Sequence, residues 1–363
     1  MQNPKRSAPR GETIWTLLLG LIMLVFGVAL GLGMEPRAPD GKAASLLAER
    51  ESDRGRMASA PSEIPSKGWK DIALRVWRKF NSDRILLISA GVTFYAILAI
   101  FPAIAALVSI YGLVADPNTI NQHVNDLRGV MPDGALDIIG DQVKRLAAKG
   151  NGTLGLTLAA SLLLSLWSAN GGVKSVFDAL NIAYEETEKR GFFRLTLQSL
   201  VFTGGALLFV ILALTAIVVV PVALQFLGVD EKAWYVALLR WPALLLVVIF
   251  GLAVLYRFGP SRNKAKWRWV SPGSALAAVL WLLASGLFSW YVAHFGSYNQ
   301  TYGSLGAAIG FMTWIWISTI VVLLGAELNA ETERQTAMDT TNGAPKPLGA
   351  RRAHAADTVA RSL

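Results

Sequence analysis

The chain has no cysteine, only three histidines, and 25 Asp and Glu residues against 34 Lys and Arg. Without cysteine, disulfides and thiolate chemistry are excluded. His123, His294 and His354 lie far apart in the sequence, so a histidine metal cluster is not expected. No GxSxG, HExxH, P-loop or dinucleotide fingerprint occurs, which leaves the common hydrolase and nucleotide-binding chemistries without their residues. The most informative absence is local: from Trp269 to Ala326, 58 consecutive residues contain no Asp, Glu, Lys or Arg. A helix crosses the ~30 Å hydrocarbon core in about 20 residues, so the stretch is long enough for two crossings. The polar break from Gly296 to Ser304 divides it into helices near 271–295 and 305–325, a transmembrane hairpin.

What is present agrees. Mean hydropathy is +0.44, 53% of residues are hydrophobic, and further uncharged runs cover 14–33, 85–115, 150–173, 195–229 and 241–256. None alternates with the period of a barrel strand, and backbone groups in lipid must be paired within the segment, so the runs are read as helices. The expected fold is an all-α polytopic bundle, with a six-helix core and one additional N-terminal transmembrane helix. Basic residues set its orientation. Eleven lie between 34 and 84 and five between Arg257 and Arg268, against four in 116–149, one at Lys232 and none in the Gly296 turn. Both core termini are therefore expected in the cytoplasm, and the extreme N-terminus outside.

Four regions follow. Residues 1–33 form a tail and the extra helix, read as uncleaved because twenty apolar residues exceed a signal-peptide core. Residues 34–67, rich in Pro, Ala, Ser and mixed charge, read as a disordered cytoplasmic linker, and 336–363 as a disordered tail. The core is 68–335. It opens on an amphipathic helix, 68–80, whose Trp69, Ile72, Val76, Trp77 and Phe80 either lie in the membrane interface or pack on the protein's own cytoplasmic loops. A second amphipathic segment, Asp133 to Lys149, is expected to lid the outer face.

Candidate functional residues are few. Pro102 sits near the middle of the run from Ile85, and Pro221 and Gln225 near the far end of another. Each proline marks either a simple kink or a broken helix that frees backbone groups to line a path. Tyr95 and Asn170 are polar groups inside spans. Arg257 at a span end is an interfacial anchor, Glu327 a helix-end carboxylate facing cytoplasm or pairing with an Arg, and Asn329 accompanies it at the boundary. His294 reads as an outer-interface residue. The basic loop from Arg257 to Arg268 lies between two spans and is read as a membrane-surface anchor, not a nucleic-acid site.

Longer phrases carry a resemblance. Asp83-Arg84-Ile85, Ser89-Ala90-Gly91-Val92-Thr93-Phe94-Tyr95-Ala96 and Phe101-Pro102-Ala103 are followed by Trp167-Ser168-Ala169-Asn170 and Tyr256-Arg257-Phe258-Gly259-Pro260. Then come Trp267-Arg268-Trp269-Val270-Ser271-Pro272-Gly273, Tyr302-Gly303-Ser304-Leu305-Gly306-Ala307 and Leu324-Gly325-Ala326-Glu327-Leu328-Asn329-Ala330-Glu331. In order and spacing, over about 68–335, they resemble the YihY/BrkB family of bacterial inner-membrane proteins. The resemblance implies a six-helix inner-membrane core and a link to envelope integrity and serum resistance; some members carry a ribonuclease label. A nuclease needs metal-binding carboxylates or a histidine pair converging on one site, and the sequence pattern offers neither. The expected function is therefore transport or organisation of lipids or lipid-linked envelope components, without catalysis, cofactor or metal. The path would run by Tyr95, Pro102, Asn170, Arg257, Glu327 and Asn329. Alternatives are a scaffold docking envelope proteins and, remotely, a membrane-bound ribonuclease. Membrane lipids are the expected partners, and nucleic acid is not.

Overall fold

A computed structural model describes residues 51–112, 154–226, 234–295 and 304–361. The expected N-terminal helix, the outer segment Asp133 to Lys149, the Gly296 turn and His123 lie outside the described residues, as do the side chains of Pro221 and Gln225. Seven long helices occur among those described: α1 (Ser66–Ser82), α2 (Ile85–Gly112), α3 (Leu154–Ala183), α4 (Phe192–Phe226), α5 (Trp234–Phe258), α6 (Trp267–Phe295) and α7 (Ser304–Glu333). A single turn, α8 (His354–Asp357), follows near the end, and the described residues form no strand beyond an isolated bridge between Ala265 and Thr341. Three helical segments, Phe192–Phe209, Trp267–Val292 and Ala308–Glu333, are long and apolar enough to cross a membrane; a fourth crossing arises if α1 and α2 count as one bent pair.

The bend between α1 and α2 is 62°. It occurs at Asp83 and Arg84, where Arg84 takes the left-handed conformation with φ of 52° and the Asp83 amide still closes on the Lys79 carbonyl at 2.9 Å. A non-glycine residue in that region is uncommon, so the break is held by its surroundings. Pro102, by contrast, lies inside an α2 that runs unbroken to Gly112. The expected helix break is thus some twenty residues upstream of the proline, at the polar entry to the span.

Among the described residues the closest-packed neighbours run in the order α4, α3, α2, α7, α6, α5. The tightest crossing joins α6 to α7. Pro272 has no amide for the Arg268 carbonyl, and the Ser271 hydroxyl donates to that carbonyl instead at 3.0 Å. The Gly273 amide then turns to α7 and donates to Asn329 Oδ1 at 2.8 Å, while Asn329 Nδ2 donates to the Val270 carbonyl at 3.1 Å. One amide side chain thereby bridges donor and acceptor at the proline turn. Tyr256 of α5 adds a bond from its hydroxyl to the Val322 carbonyl at 2.7 Å.

The α1 helix settles the choice left open by its sequence. Ile72, Val76 and Phe80 are buried in the protein's own core, against α7, and Leu74 and Trp77 on the far side remain exposed. Two segments depart from expectation. The end of the supposed linker, 51–65, and the supposed disordered tail, 336–361, are folded together over the polar end of the bundle. The Ala337 amide donates to the Arg56 carbonyl at 2.8 Å and Thr336 Oγ1 to the Ala58 carbonyl at 2.7 Å. Within the tail, the Arg351 guanidinium donates to the carbonyls of Ala337, Met338, Lys346 and Ala356. Composition suggested disorder because these segments lack large apolar residues. They are ordered instead by arginine bonding to backbone and by small Ala353, Ala355 and Ala356 side chains buried beneath.

Candidate functional site

At the polar end α1, α7, the turn after α3 and the tail meet in a buried ionic cluster. The stripe of α1 beside its apolar face carries Asp71, Arg75 and Lys79, one turn apart and all buried. Arg75 Nε donates to Glu331 Oε2 at 2.5 Å and its Nη2 to Gln335 Oε1 at 2.7 Å. Glu331 also receives Arg334 at 2.8 Å, and Arg334 reaches on to Glu185 at 3.1 Å. Glu185 further pairs with Lys79 and with His354 Nε2, the latter at 2.9 Å. Hydrogen bonding to His354, backed by Arg334 and Lys79, holds the Glu185 carboxyl well below the usual carboxylate range despite burial. A second buried pair, Arg262 with Glu333 at 2.6 Å, is closed by Thr340 Oγ1 on Glu333 and by the Tyr184 ring under the guanidinium at 4.6 Å.

Glu327 is the exception. Its side chain is 1% exposed, and its carboxyl meets only that of Asp83, with no N–H or hydroxyl donor on either oxygen among the described residues. Its acidic neighbours are Asp83, at the α1–α2 bend, and Glu331; Lys79 is the nearby opposing charge, 3.8 Å from Asp83. It neither faces solvent nor pairs with an arginine, contrary to both sequence readings. Burial, against the pull of Lys79, pushes the Asp83 carboxyl up from its ordinary value. A carboxyl whose folded pKa is raised favours the fold while protonated, and that contribution is lost as pH rises through the folded pKa. Asp83→Asn should therefore gain stability relative to the natural protein as pH rises from about 4 to about 8. Melting of both proteins across that range checks it; a constant difference would mean Asp83 titrates normally.

The other predicted residues do not converge. Tyr95 is 51% exposed, on the outer face of α2 with Phe94 and Leu98. Asn170 is 2% exposed on α3, with its Oδ1 unpartnered, near the crossing where Gly172 meets Ala99 and the Tyr95 backbone. Asn329 is spent on the α6 turn. Arg257 donates from Nη1 to the Ala265 carbonyl at 2.6 Å and lies over Trp267 at 4.4 Å; no hydrogen bond or ion pair joins it to Glu327 among the described residues. His294 is exposed, with Nδ1 2.9 Å from the Trp290 carbonyl. The residues that do cluster, Arg75, Lys79, Asp83, Glu185, Glu331 and Arg334, were missed because their pairing spans up to 256 positions. The one local sign was the charged stripe of α1, which reads equally well as a solvated face.

Comparison with known proteins adds to the geometry. The chain is 28% identical over 261 residues to the ribonuclease-like protein YfkH of Bacillus subtilis, covering 70% of this chain and 92% of that protein. It is 24% identical to a UPF0761 membrane protein of Aggregatibacter aphrophilus, over 72% of this chain and 92% of the relative. A UPF0761 membrane protein of Xanthomonas campestris is 26% identical over 77% of this chain and 62% of its own length. No solved structure matches the chain. The family model described as Virulence factor BrkB matches residues 76–348, from inside α1 through α7 and into the folded tail. The chain is an integral membrane protein and belongs to the BrkB family.

Proposed function

We propose that the protein sits in the bacterial inner membrane with six core helices and one N-terminal helix, core termini cytoplasmic, and moves or organises lipids or lipid-linked envelope components without catalysis. One observation carries this reading. Helices α4 and α5, consecutive in the chain, meet at their polar ends through the Gln198 amide on the Phe258 carbonyl, and Leu197, Val201 and Phe250 beside that contact are exposed. Exposed apolar side chains next to a polar, basic corner suit a lipid, with its headgroup at the corner and its acyl chains along the helices. The buried Glu327 beside the bend supplies a charge-bearing element that a moving bundle can use.

Reconstituted into vesicles carrying a fluorescent phospholipid, the protein should speed dithionite-accessible exchange above that of empty vesicles. Alkylating a cysteine introduced by Val201→Cys, an exposed position on α4 three residues beyond Gln198, should slow it. Exchange at the empty-vesicle rate would leave the second reading, a scaffold for envelope proteins. That reading draws on the exposed Leu74 and Trp77 of α1 beside the folded polar cap. The ribonuclease-like name of the Bacillus relative receives the least support: no three His, Asp or Glu side chains among the described residues are grouped to hold a metal ion.

A further inference from the structure

The cations of the polar end are unevenly neutralised. Arg75, Lys79, Arg334, Arg262, Lys189 and Arg190 each face a carboxylate. Arg194, Arg257 and Lys264 form no ion pair among the described residues; neither do Lys70, Arg78, Arg84 and Arg268, but the first three share one corner. Gln198 and Arg194 are a turn apart on the same face of α4. The bond from Gln198 to Phe258 therefore brings Arg194 toward the last turn of α5, which carries Arg257. Lys264 Nζ lies 4.7 Å over the Phe258 ring. Arg257 is only 9% exposed, yet its Nε has no partner. Its Nη1 is bonded to the Ala265 carbonyl, so the guanidinium keeps its charge without a carboxylate to oppose it, and three such cations at one corner make a strong local field for an anion.

Apolar walls continue below this corner. Continuing along the α4 face from Arg194, Leu197, Val201 and Leu208 are all exposed, and on α5 so are Val247 and Phe250. Phe250 stacks on Trp267 at 6.3 Å, and Trp267 in turn covers Arg257, an aromatic layer at the depth where rings and headgroups meet. A free phosphate would use the cations alone; the exposed apolar walls beneath them call for chains attached to it.

We infer that the corner where the polar ends of α4 and α5 meet binds an anionic phospholipid, its phosphate held by Arg194, Arg257 and Lys264 and its acyl chains lying against Leu197, Val201, Val247 and Phe250. The inference rests on the lipid-handling reading above and names its ligand class. Each cation contributes roughly fivefold to affinity, by the usual strength of a basic side chain at an anionic surface.

The test places the full chain in nanodiscs of phosphatidylcholine with and without phosphatidylglycerol, and measures melting temperature and retained lipid by native mass spectrometry. Phosphatidylglycerol should raise the melting temperature and be retained. Arg194→Gln and Lys264→Gln, both at exposed positions that leave the fold intact, should each weaken retention roughly fivefold. Lys70→Gln, an exposed cation on α1, should leave it unchanged. Equal loss in Lys70→Gln would reduce the effect to a diffuse basic belt and overturn the site. So would equal stabilisation by inorganic phosphate, or crosslinking of the chain's own N-terminal helix to a cysteine at Val201. Phospholipid exchange measured on the same variants separates the two ideas: exchange without phosphatidylglycerol retention removes the site alone, and retention without exchange removes transport alone.

Discussion

Glu331→Ala should be among the most damaging single substitutions in the chain, costing about 3–5 kcal/mol of stability. The reason is what remains after the carboxylate is gone. Arg75 and Glu331 are both buried, and Arg75 would keep only the Gln335 side chain and the backbone carbonyl of residue 331. Arg334 would keep Glu185 but lose the partner on its own helix. A buried guanidinium without its carboxylate bears the desolvation cost with little return, and the loss is a large share of a total stability of about 5–15 kcal/mol. The double change Arg75→Met with Glu331→Leu should recover most of that loss, because it removes both charges together. Denaturation of the three proteins in detergent gives the comparison. A cost below about 1 kcal/mol for Glu331→Ala would mean that water reaches the pair and screens it.

This cluster also marks where sequence reasoning ran out. The run beginning at Ile85 gave the start of α2, and the long uncharged stretch gave the hairpin of α6 and α7, because apolar length is a local property and lipid permits only one backbone solution. The helix ends were missed by several residues at the polar side. Helix α6 starts at Trp267, including Arg268, and α7 runs on to Glu333. Charges are tolerated there because partners from distant segments meet them, as Arg262 meets Glu333. Asn329 was expected at the membrane boundary, but what it does in the fold depends on Pro272, 57 positions away, having disturbed the α6 turn. The folded tail shows the same limit. Nothing local in Arg351 says that it will donate to carbonyls on both sides of it, so composition alone read the segment as a disordered tail. Distant pairing, not local propensity, separates the site from the fold in legibility.

Gly273→Ala should break the α6–α7 crossing, and with it the closing hairpin of the core. A methyl group on Gly273 would fall inside the van der Waals shell of the Gly325 carbonyl oxygen and 2.6 Å from Asn329 Cγ. One on Gly325 would meet the Tyr256 hydroxyl, and would stand 2.7 Å from both Ala277 Cβ and the Gly273 carbonyl oxygen. The obstacles include backbone, so no rotamer change relieves them; the helices must separate, and the paired bonds of Asn329 to the Val270 carbonyl and Gly273 amide stretch with them. A loss of about 3 kcal/mol or more is expected for either alanine, at the upper end for overpacking because the contact is helix on helix. The internal control is sharp. Gly91, Gly205 and Gly286 are helical glycines with nothing within 4 Å of an added methyl, so alanine there should be neutral or gain up to about 1 kcal/mol from helix propensity. Melting of the five single variants in one detergent tests the crossing directly. If Gly273→Ala melts with Gly91→Ala, the two helices do not approach to backbone contact, and Asn329 cannot be the residue that joins them.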